Sequence, residues 1–308
     1  MGTAEHIVDN AISIRGLRKS FRPVSAVDGV SLEVCKGELF GIIGPDGAGK
    51  TTLFRLLATL LDADGGEASV DGLDIRKDYR ELRKRVGYMP GKFSLYQDLS
   101  VKENLEFFAS VFGTSIRENY DLIGDIYCRL EPFSDRKAGK LSGGMKQKLA
   151  LCCALIHSPS VLFLDEPTTG VDPSSRREFW EMLAHLKSFG ITMLVSTAYM
   201  DEASKCDRVA LMSGGRFRRV GTVGEITGAF GHRLMEIRSD DMFRLLADVR
   251  KLGGVEECYT FGGVHHIRLK DASPLTAGEI RAEMEGRGHS GVEVQDCMPT
   301  LEDCFLVI

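Results

Sequence analysis

The chain has 308 residues, of which 43% are hydrophobic and 27% are charged, a composition typical of globular domains. A chain of this length can bury the core of one large domain, or of a large domain and a small one. The net charge of −5 does not support nucleic-acid binding, and no apolar run approaches the roughly 20 residues of a membrane span. No secretory leader is recognisable, so we expect a cytoplasmic chain that reaches a membrane only through a partner.

The cysteines and histidines do not predict a metal site. The eight cysteines include no C-x-x-C pair, and the seven histidines do not cluster in sequence. Scattered cysteines of this kind are typical of buried free thiols in a reducing compartment. His265 and His266 are adjacent, but on a strand their side chains would point to opposite faces of the sheet.

The N-terminal region alternates short strand-like segments with turns. Residues 12–14, 30–34 and 39–43 have the apolar pattern of strands, and turns are predicted at Asp28-Gly29 and at Lys36-Gly37.

The next segment matches the phosphate-loop pattern G-x-x-x-x-G-K-[ST]. It consists of Gly44, Pro45, Asp46, Gly47, Ala48, Gly49, Lys50 and Thr51. An apolar strand precedes it and a helix beginning near Thr52 follows, so backbone N–H groups and the helix N-terminus would point at a polyphosphate. Lys50 is predicted to reach the phosphates and Thr51 to ligate Mg²⁺. We therefore expect nucleoside triphosphate binding; a glycine-rich turn without a ligand is the weaker alternative.

Helical and strand-like segments alternate through the middle of the chain. Residues 100–140 have helical periodicity, residues 161–164 form a continuous apolar run, and a helix-like segment at 178–187 precedes a second apolar run at 191–196. This alternation predicts an α/β core with a mainly parallel sheet.

The character of the sequence changes near residue 225. A strand, a helix, a hairpin at Gly262-Gly263, a helix opened by a Thr276–Glu279 capping box, and a last strand follow in order. This is the order of a ferredoxin-like α+β module. We therefore predict domains at 1–227 and 228–308.

Two acids end the apolar run at 161–164. Asp165 is suited to the shell of a Mg²⁺ ion, and Glu166 could act as the catalytic base that polarises an attacking water. A charged strand end followed by the Pro167 stop is the alternative interpretation.

A second glycine-rich helix start precedes these acids. It is formed by Leu141, Ser142, Gly143, Gly144, Met145, Lys146 and Gln147. A serine and two glycines at a helix N-terminus can bind phosphate, and a site completed by another subunit explains a second such end best. Asp172 could reach across the same interface. Phe21 could stack on an adenine ring, although a core aromatic is nearly as plausible.

Over residues 10–225, the chain resembles ABC transporter ATP-binding subunits in the order and spacing of four motifs. These motifs are Walker A (44–51), the signature (141–147), Walker B (162–167) and the D-loop (170–172). The resemblance implies a P-loop ABC ATPase with a mainly parallel sheet, an antiparallel β-subdomain and a permease-facing helical subdomain at about 91–140. It implies ATP and Mg²⁺ as cofactors. In that family, two subunits enclose two ATP molecules between the Walker motifs of one chain and the signature of the other.

The C-terminal domain is similar to the extension of ATPases that serve ABC-2 type exporters. This implies an ABC-2 type membrane permease as partner, an ATPase that energises export of a drug, lipid or similar cargo, and a peripheral position at the cytoplasmic face of the cell membrane. The competing interpretations are a non-hydrolytic regulatory ATP-binding module and a soluble ABC protein that acts on ribosomes or DNA. The single cassette and the acidic balance argue against the second, and no nucleic-acid partner is expected.

Two departures from the family pattern affect the predicted catalysis. Gly91 stands where the family usually has a glutamine that touches Mg²⁺ and water, and Ala198 stands where a histidine usually contacts the γ-phosphate. Gln97 is too far along the chain to substitute, and Asp46 in place of asparagine looks minor. We expect this chain to hold nucleotide and hydrolyse it slowly, which favours a heterodimer with a related ATPase. A homodimer in which Glu166 alone sustains hydrolysis is the alternative.

Overall fold

The structure, a computed structural model, describes residues 9–307. Residues 1–8 and residue 308, which the predicted domains include, lie outside the described part. The chain divides into two compact units, the first ending at Thr222 and the second beginning at Val223. The domain boundary expected after residue 227 falls instead inside a short helix of the second unit.

The first sheet of the first unit is antiparallel. Its strands are β1 (Asn10–Phe21), β2 (Val24–Cys35), β4 (Gly65–Val70) and β5 (Leu73–Asp74). They are arranged in the order β2-β1-β4-β5, which agrees with the expected antiparallel β-subdomain. The turn predicted at Asp28-Gly29 is wrong, because β2 runs through this position. Gly29 has a φ of +68° and lies at a register irregularity, a bulge where glycine adopts the left-handed backbone at little cost.

The second sheet of the first unit is mainly parallel, as predicted. Its strands are β3 (Leu39–Ile43), β6 (Val86–Met89), β7 (Val161–Asp165), β8 (Thr192–Thr197), β9 (Arg208–Ser213) and β10 (Arg216–Gly221). Their order is β10-β9-β3-β8-β7-β6, and of the pairs between them only β9 with β10 is antiparallel within residues 9–307. Every residue of β3, β7 and β8 is buried, which explains their continuous apolar sequences.

Helices cover this sheet and form the helical region. They are α1 (Lys50–Leu57), α2 (Tyr79–Arg85), α3 (Val101–Phe112), α4 (Tyr120–Tyr127), α5 (Gly143–Leu155) and α6 (Pro173–Lys187). Helix α3 starts at a complete capping box between Ser100 and Glu103 and ends at Gly113 in the left-handed conformation.

The helix that follows the phosphate loop is anchored by buried apolar side chains. In α1, Leu53, Phe54, Leu56 and Leu57 are fully buried. The Phe54 ring meets Phe163 of β7 edge to face, with centroids 6.1 Å apart. Burial of one such side chain contributes about 1.5–3 kcal/mol. This packing fixes the loop before α1 relative to the strand that ends at Asp165, one residue before Glu166.

The second unit has the predicted ferredoxin-like order. Its elements are α7 (Val223–Gly228), β11 (Leu234–Arg238), α8 (Met242–Val249), β12 (Val255–Phe261), β13 (Val264–Leu269), α9 (Ala277–Gly286), β14 (Glu293–Asp296) and α10 (Leu301–Leu306). The antiparallel sheet has the order β12-β13-β11-β14, as expected of a split βαβ fold. The predicted capping box of Thr276 and Glu279 is confirmed at the start of α9.

The described residues also bear on the cysteine and membrane expectations. All eight cysteines lie within residues 9–307, and no disulfide joins them there, as predicted; four of them are buried (Cys152, Cys153, Cys258 and Cys304), whereas Cys128 is exposed, contrary to the expectation of buried thiols. In the same part of the chain, no helix combines the length and apolarity that a membrane span requires.

Candidate functional site

The phosphate loop connects β3 to α1, and its glycines serve different purposes. A β-carbon at Gly44 would lie 2.2 Å from the Met212 carbonyl oxygen, and one at Gly49 would lie 2.1 Å from that of Ala26. These two glycines therefore allow the loop to pack against neighbouring backbone. Gly47, at φ +78°, has nothing within 4 Å of the same position. The loop thus has an open face at Gly47, where a phosphate can approach the backbone.

The residues of the loop differ in exposure accordingly. Pro45, Asp46 and Gly47 are exposed, Ala48 is buried, and Thr52 is half-buried in the first turn of α1. Because α1 begins at Lys50, the first N–H groups of this helix have no partner within it. These groups and the exposed loop form an anion-binding end.

Lys50 is buried and makes short polar contacts around the loop. Its Nζ donates to the carbonyl oxygens of Gly44 (2.7 Å) and Pro45 (3.0 Å), and it lies 3.0 Å from Glu166 Oε1. Only 3% of the Lys50 side chain is exposed, so its charge is balanced here by Glu166. The sequence motifs of the loop and the acids therefore meet at a single ammonium group.

Thr51 and Asp165 lie together, with geometry that fits a magnesium ion. Thr51 Oγ1 is 3.1 Å from Asp165 Oδ1. Adjacent ligands of an octahedral Mg²⁺ ion with bonds of 2.0–2.1 Å are about 2.9 Å apart, so this pair needs little adjustment to share one ion. Burial raises the pKa of Asp165, against hydrogen bonds from Ser196 and Thr51 that lower it. A cation next to this carboxylate would offset the cost of its burial.

Ser196 is a site residue that the motifs did not reveal. Its hydroxyl donates to Asp165 Oδ1 (2.8 Å) and accepts from the Glu166 backbone N–H (2.9 Å). One buried hydroxyl on β8 therefore contacts both the Asp165 carboxylate at the end of β7 and the backbone of Glu166, the next residue. A serine within an apolar strand has no distinguishing sequence signal, and only the pairing of β7 with β8 reveals its role.

Glu166 has an unusual backbone conformation. Its φ is +50°, in the left-handed region that costs a non-glycine residue about 1–2 kcal/mol. Residues held in such conformations are concentrated at functional sites. Here the conformation follows directly on the end of β7 and directs the carboxylate towards Lys50, while Thr169 Oγ1 lies 3.4 Å from Glu166 Oε2.

Gly91 and Ala198, the two departures from the family pattern, occupy different environments. A β-carbon at Gly91 would lie 2.9 Å from the Asp165 carbonyl oxygen and 3.6 Å from Glu166 Cβ. A side chain at this position would therefore begin beside both acids. Gln97 instead packs against Gly139 in the helical region. Ala198 is exposed directly after β8.

A buried network centred on Glu202, four residues after Ala198, was also not predicted from the sequence motifs. Glu202, 3% exposed, accepts hydrogen bonds from the hydroxyls of Thr197 (2.6 Å) and Thr168 (2.8 Å), and its carboxylate lies 3.3 Å from Arg176. These bonds connect the segment after β8 to the segment after the acids and to α6. The loop that carries Ala198 is therefore connected to the segment that follows the two acids and to α6.

The second glycine-rich helix start forms the N-terminus of α5. Ser142 is exposed and caps the helix by accepting the Met145 N–H, and Gly143 is also exposed. Gly144 is buried, and a β-carbon there would lie 2.6 Å from Ser175 Oγ. Its small size thus serves packing against α6. Ser142 and Gly143 remain accessible.

The other predicted signature and interface residues have local roles. Leu141 is buried in the apolar core, with only 6% of the residue exposed. Gln147 is half-buried on α5. Asp172 caps α6 by accepting the Ser175 N–H at 3.0 Å, and these N–H bonds lower its pKa. Its carboxylate is exposed but already engaged.

Phe21 is not a core aromatic. Its side chain is 48% exposed at the end of β1, with Lys19 Nζ 5.6 Å from the ring centroid. It pairs with Val24, close to the Ala26 carbonyl that packs on Gly49. The ring is therefore exposed, as stacking on a planar ligand requires.

Comparison with known proteins agrees with this geometry. The family model described as "ABC transporter" matches residues 27–169. The Nod factor export ATP-binding protein I of Rhizobium sp. (strain N33) is 36% identical over 302 residues, covering 96% of each chain. The chain belongs to the ABC transporter ATP-binding family. It is thus an ABC-type ATPase domain.

Two further comparisons define the extent of the likeness. The chain is 40% identical over 306 residues to the probable multidrug ABC transporter ATP-binding protein YbhF of Escherichia coli (strain K12), covering 97% of this chain and 52% of that protein. It therefore spans about half the length of that relative. The solved structure of an ATP-binding subunit of an ABC transporter is 28% identical, with a TM-score of 0.66, over 72% of this chain and 93% of that one. The expected ABC ATPase fold is confirmed.

Proposed function

We propose that this ABC ATPase binds Mg²⁺–ATP at the phosphate loop and uses it to energise export through a separate membrane permease. The observation that carries the proposal is the convergence of Lys50, Thr51, Asp165 and Glu166 within hydrogen-bond distances. Two independent sequence motifs supply these side chains. If these side chains served only as ion pairs that stabilise the fold, the open face at Gly47 beside them would not be needed.

Each side chain has a distinct part in the proposed reaction. Lys50 exchanges the Gly44 and Pro45 carbonyls and Glu166 for phosphate oxygens when a triphosphate enters. Glu166, released from the ammonium group, orients a water molecule and accepts its proton as that water attacks the terminal phosphorus. Thr51 and Asp165 would hold Mg²⁺, which neutralises developing charge on the phosphates. Ligand entry and activation of the base are therefore coupled through Lys50.

We further propose that this chain turns over its own nucleotide slowly. Gly91 and Ala198 supply no side chain to contact water or the terminal phosphate. Loss of one transition-state hydrogen bond typically lowers the rate by about 10²–10³-fold. Two such losses are not additive when the groups act as a unit. A site that binds nucleotide and rarely hydrolyses it follows from this reasoning.

The accessible signature supports pairing with a second ATPase subunit. Ser142 and Gly143 are exposed at the N-terminus of α5, where the helix dipole favours an anion. We propose that they complete the nucleotide site of a related subunit whose own catalytic residues are intact. Such a heterodimer is favoured over a homodimer, and a non-hydrolytic regulatory module is the remaining alternative.

A cleft in the first unit supports docking of a permease. It has a volume of about 350 Å³ and lies between the sheet and the helical region, where Leu60, Met89, Phe108, Phe112 and Ala154 line it. An open, mostly apolar cleft of this kind suits a short helix of another chain. Since YbhF is named for multidrug transport and the Rhizobium relative for Nod factor export, we propose export as the direction and the cytoplasmic membrane face as the location.

Steady-state ATP hydrolysis by the purified chain tests the slow-site proposal. The wild type should hydrolyse slowly, and Gly91→Gln combined with Ala198→His should raise the rate by at least about tenfold. Gly91→Ala combined with Ala198→His is the matched control, because a β-carbon at position 91 approaches the Asp165 carbonyl to 2.9 Å and carries its own steric cost. Rapid wild-type turnover that Glu166→Gln abolishes would contradict the proposal.

Extraction from membranes with mild detergent tests the partners. An integral membrane protein and a second ATPase should accompany this chain. Recovery of the chain alone would favour the regulatory module, and recovery with the membrane protein but without a second ATPase would favour the homodimer.

A further inference from the structure

A row of polar side chains crosses one face of the sheet in the second unit. The strand register pairs Glu236 with both His266 and Gln295, and it pairs His266 with Tyr259. Residues paired directly across strands share a face of the sheet. The apolar residues that alternate with them face the other way and form the core with α8 and α9. The polar row therefore lies on the face opposite those helices.

The two adjacent histidines point to opposite faces, as the sequence predicted. His265 Nε2 lies 2.7 Å from the Met242 carbonyl oxygen at the start of α8, on the helix-covered face. His266 instead contacts Asp303 of α10, with Nδ1 2.7 Å from Oδ1. The segment after β14 thus crosses the polar row and brings new side chains to it.

Three potential metal ligands of different kinds meet at this place. One donor atom from each of Glu236, His266 and Cys297 lies within 4.8 Å of the others. His266 is 3% exposed, whereas Glu236 and Cys297 are partly exposed, which leaves room for a water or a further ligand. Tetrahedral metal sites with bonds of about 2.0–2.3 Å separate their ligands by about 3.3–3.8 Å. A side-chain movement of about 1 Å would therefore close this set around one ion.

Asp303 fixes the orientation of the central histidine. Its carboxylate is fully buried and accepts from Tyr259 OH, from the Thr300 N–H (2.6 Å) and from the Thr300 hydroxyl (2.7 Å), besides His266. Because an ionised carboxylate only accepts hydrogen bonds, we assign the proton to His266 Nδ1, which leaves Nε2 for a metal. A carboxylate that binds the second nitrogen is the usual support of a metal-ligating histidine.

We propose that Glu236, His266 and Cys297 bind one Zn²⁺ ion or a similar borderline metal, with a water in the fourth position. A nitrogen, a thiolate sulfur and a carboxylate oxygen together are typical ligands of such metals and not of Mg²⁺ or Ca²⁺. Binding forms the metal–sulfur bond and releases the thiol proton to solvent. Gln295 donates to Glu236 Oε1 and so leaves the second oxygen for the metal. The ion would fasten the segment from Cys297 onwards to the sheet.

Metal titration of the full chain, untagged, stripped with chelator and free of nucleotide, tests this site. The wild type should bind one equivalent of Zn²⁺ with a rise in melting temperature, and Co²⁺ should give the charge-transfer absorption of a thiolate ligand. Cys297→Ser should lose that absorption and the thermal shift. Cys128→Ser, which removes an exposed thiol of the other unit, is the matched control and should retain both.

Two further variants keep the test decisive if Cys297→Ser fails to fold. Glu236→Gln should weaken Zn²⁺ binding while the Co²⁺–thiolate absorption persists at saturation. Asp303→Asn should lower the affinity by about 10–100-fold, as expected for a positioning residue. The proposal is overturned if the wild type retains no Zn²⁺ at equimolar concentration, or if folded Cys297→Ser or Glu236→Gln binds it as tightly as the wild type. In that case the His266–Asp303 contact serves only to hold α10.

Discussion

Removal of the Ser196 hydroxyl tests the architecture of the site most specifically. In Ser196→Ala, Asp165 loses a buried hydrogen bond of 2.8 Å, whereas the Glu166 N–H keeps the Ser196 carbonyl at 3.1 Å. A hydrogen bond to a charged group contributes about 1.5–3 kcal/mol, so the unfolding free energy should fall by that amount at neutral pH. For a unit of this size the melting temperature should drop by roughly 3–12 °C.

The pH dependence distinguishes this cause from a simple packing defect. Burial holds the pKa of Asp165 above its ordinary value, so the folded chain binds this proton more tightly than the unfolded chain. The stability gained from this tighter proton binding is present below the pKa that Asp165 has in the unfolded chain. It is lost as the pH rises through the pKa of Asp165 in the folded chain. Without the Ser196 donor the folded pKa rises further. The stability deficit of Ser196→Ala should therefore grow from acid towards neutral pH.

Thr192→Val is the matched control for this experiment. Thr192 lies on the same strand, is buried, and its hydroxyl accepts from the Gly37 N–H at 3.0 Å. Because both partners are neutral, its stability loss should not change between acid and neutral pH. Melting temperatures across pH, with the Mg²⁺ dependence of ATP affinity, provide the assay. An equal pH dependence for both variants, or unchanged Mg²⁺ dependence in Ser196→Ala, would refute the reasoning.

Two further predictions concern the loop and the second unit. Gly49→Ala should lower the free energy of unfolding by more than about 3 kcal/mol, because Gly49 has φ +106° and a β-carbon there would meet the Ala26 carbonyl. Gly47→Ala should lower it by only about 1–2 kcal/mol, because the space around Gly47 is open. Chemical denaturation measures both losses of stability, and equal losses would contradict the assigned packing. The pKa of Asp248 is lowered to about 2, mainly by a hydrogen bond from Lys251. The stability that the ionised Asp248 carboxylate contributes is therefore present above pH 3.8 and is lost as the pH falls through about 2. The gap in melting temperature between wild type and Asp248→Asn should therefore narrow on acidification, and a gap of constant size would show that this carboxylate does not contribute as described.

The sequence was sufficient to predict local structure where the residues of a motif are close together in the chain. The phosphate loop, the hairpin at 262–263 and the Thr276–Glu279 capping box each depend on residues a few positions apart, and local geometry alone defines them. The β2 strand differs, because long-range pairing overrides its local sequence pattern. Asp28-Gly29 has the composition of a turn, but the pairing of β2 with β1 turns the same glycine into a bulge.

The unpredicted features depend on strands that are distant in sequence. Ser196 meets Asp165 only because β8 lies beside β7, and nothing in an apolar run marks one serine as different. Glu236, His266 and Cys297 belong to separate elements that the sheet order brings together. Gly144 belongs to the signature motif, but its contact with Ser175 depends on the packing of α5 on α6. Sequence spacing contains no information on such contacts.

Calorimetric titration of the full chain with Mg²⁺–ATP tests the central claim most directly. The account predicts saturable binding by the wild type and at least about 10–100-fold weaker binding by Lys50→Ala, since the lost ammonium group donates charged hydrogen bonds to phosphate. Lys36→Ala, which removes an exposed lysine paired with Asp9, should bind as the wild type does. Absence of binding by the wild type, or equal affinity in Lys50→Ala, would contradict the assignment of the phosphate loop.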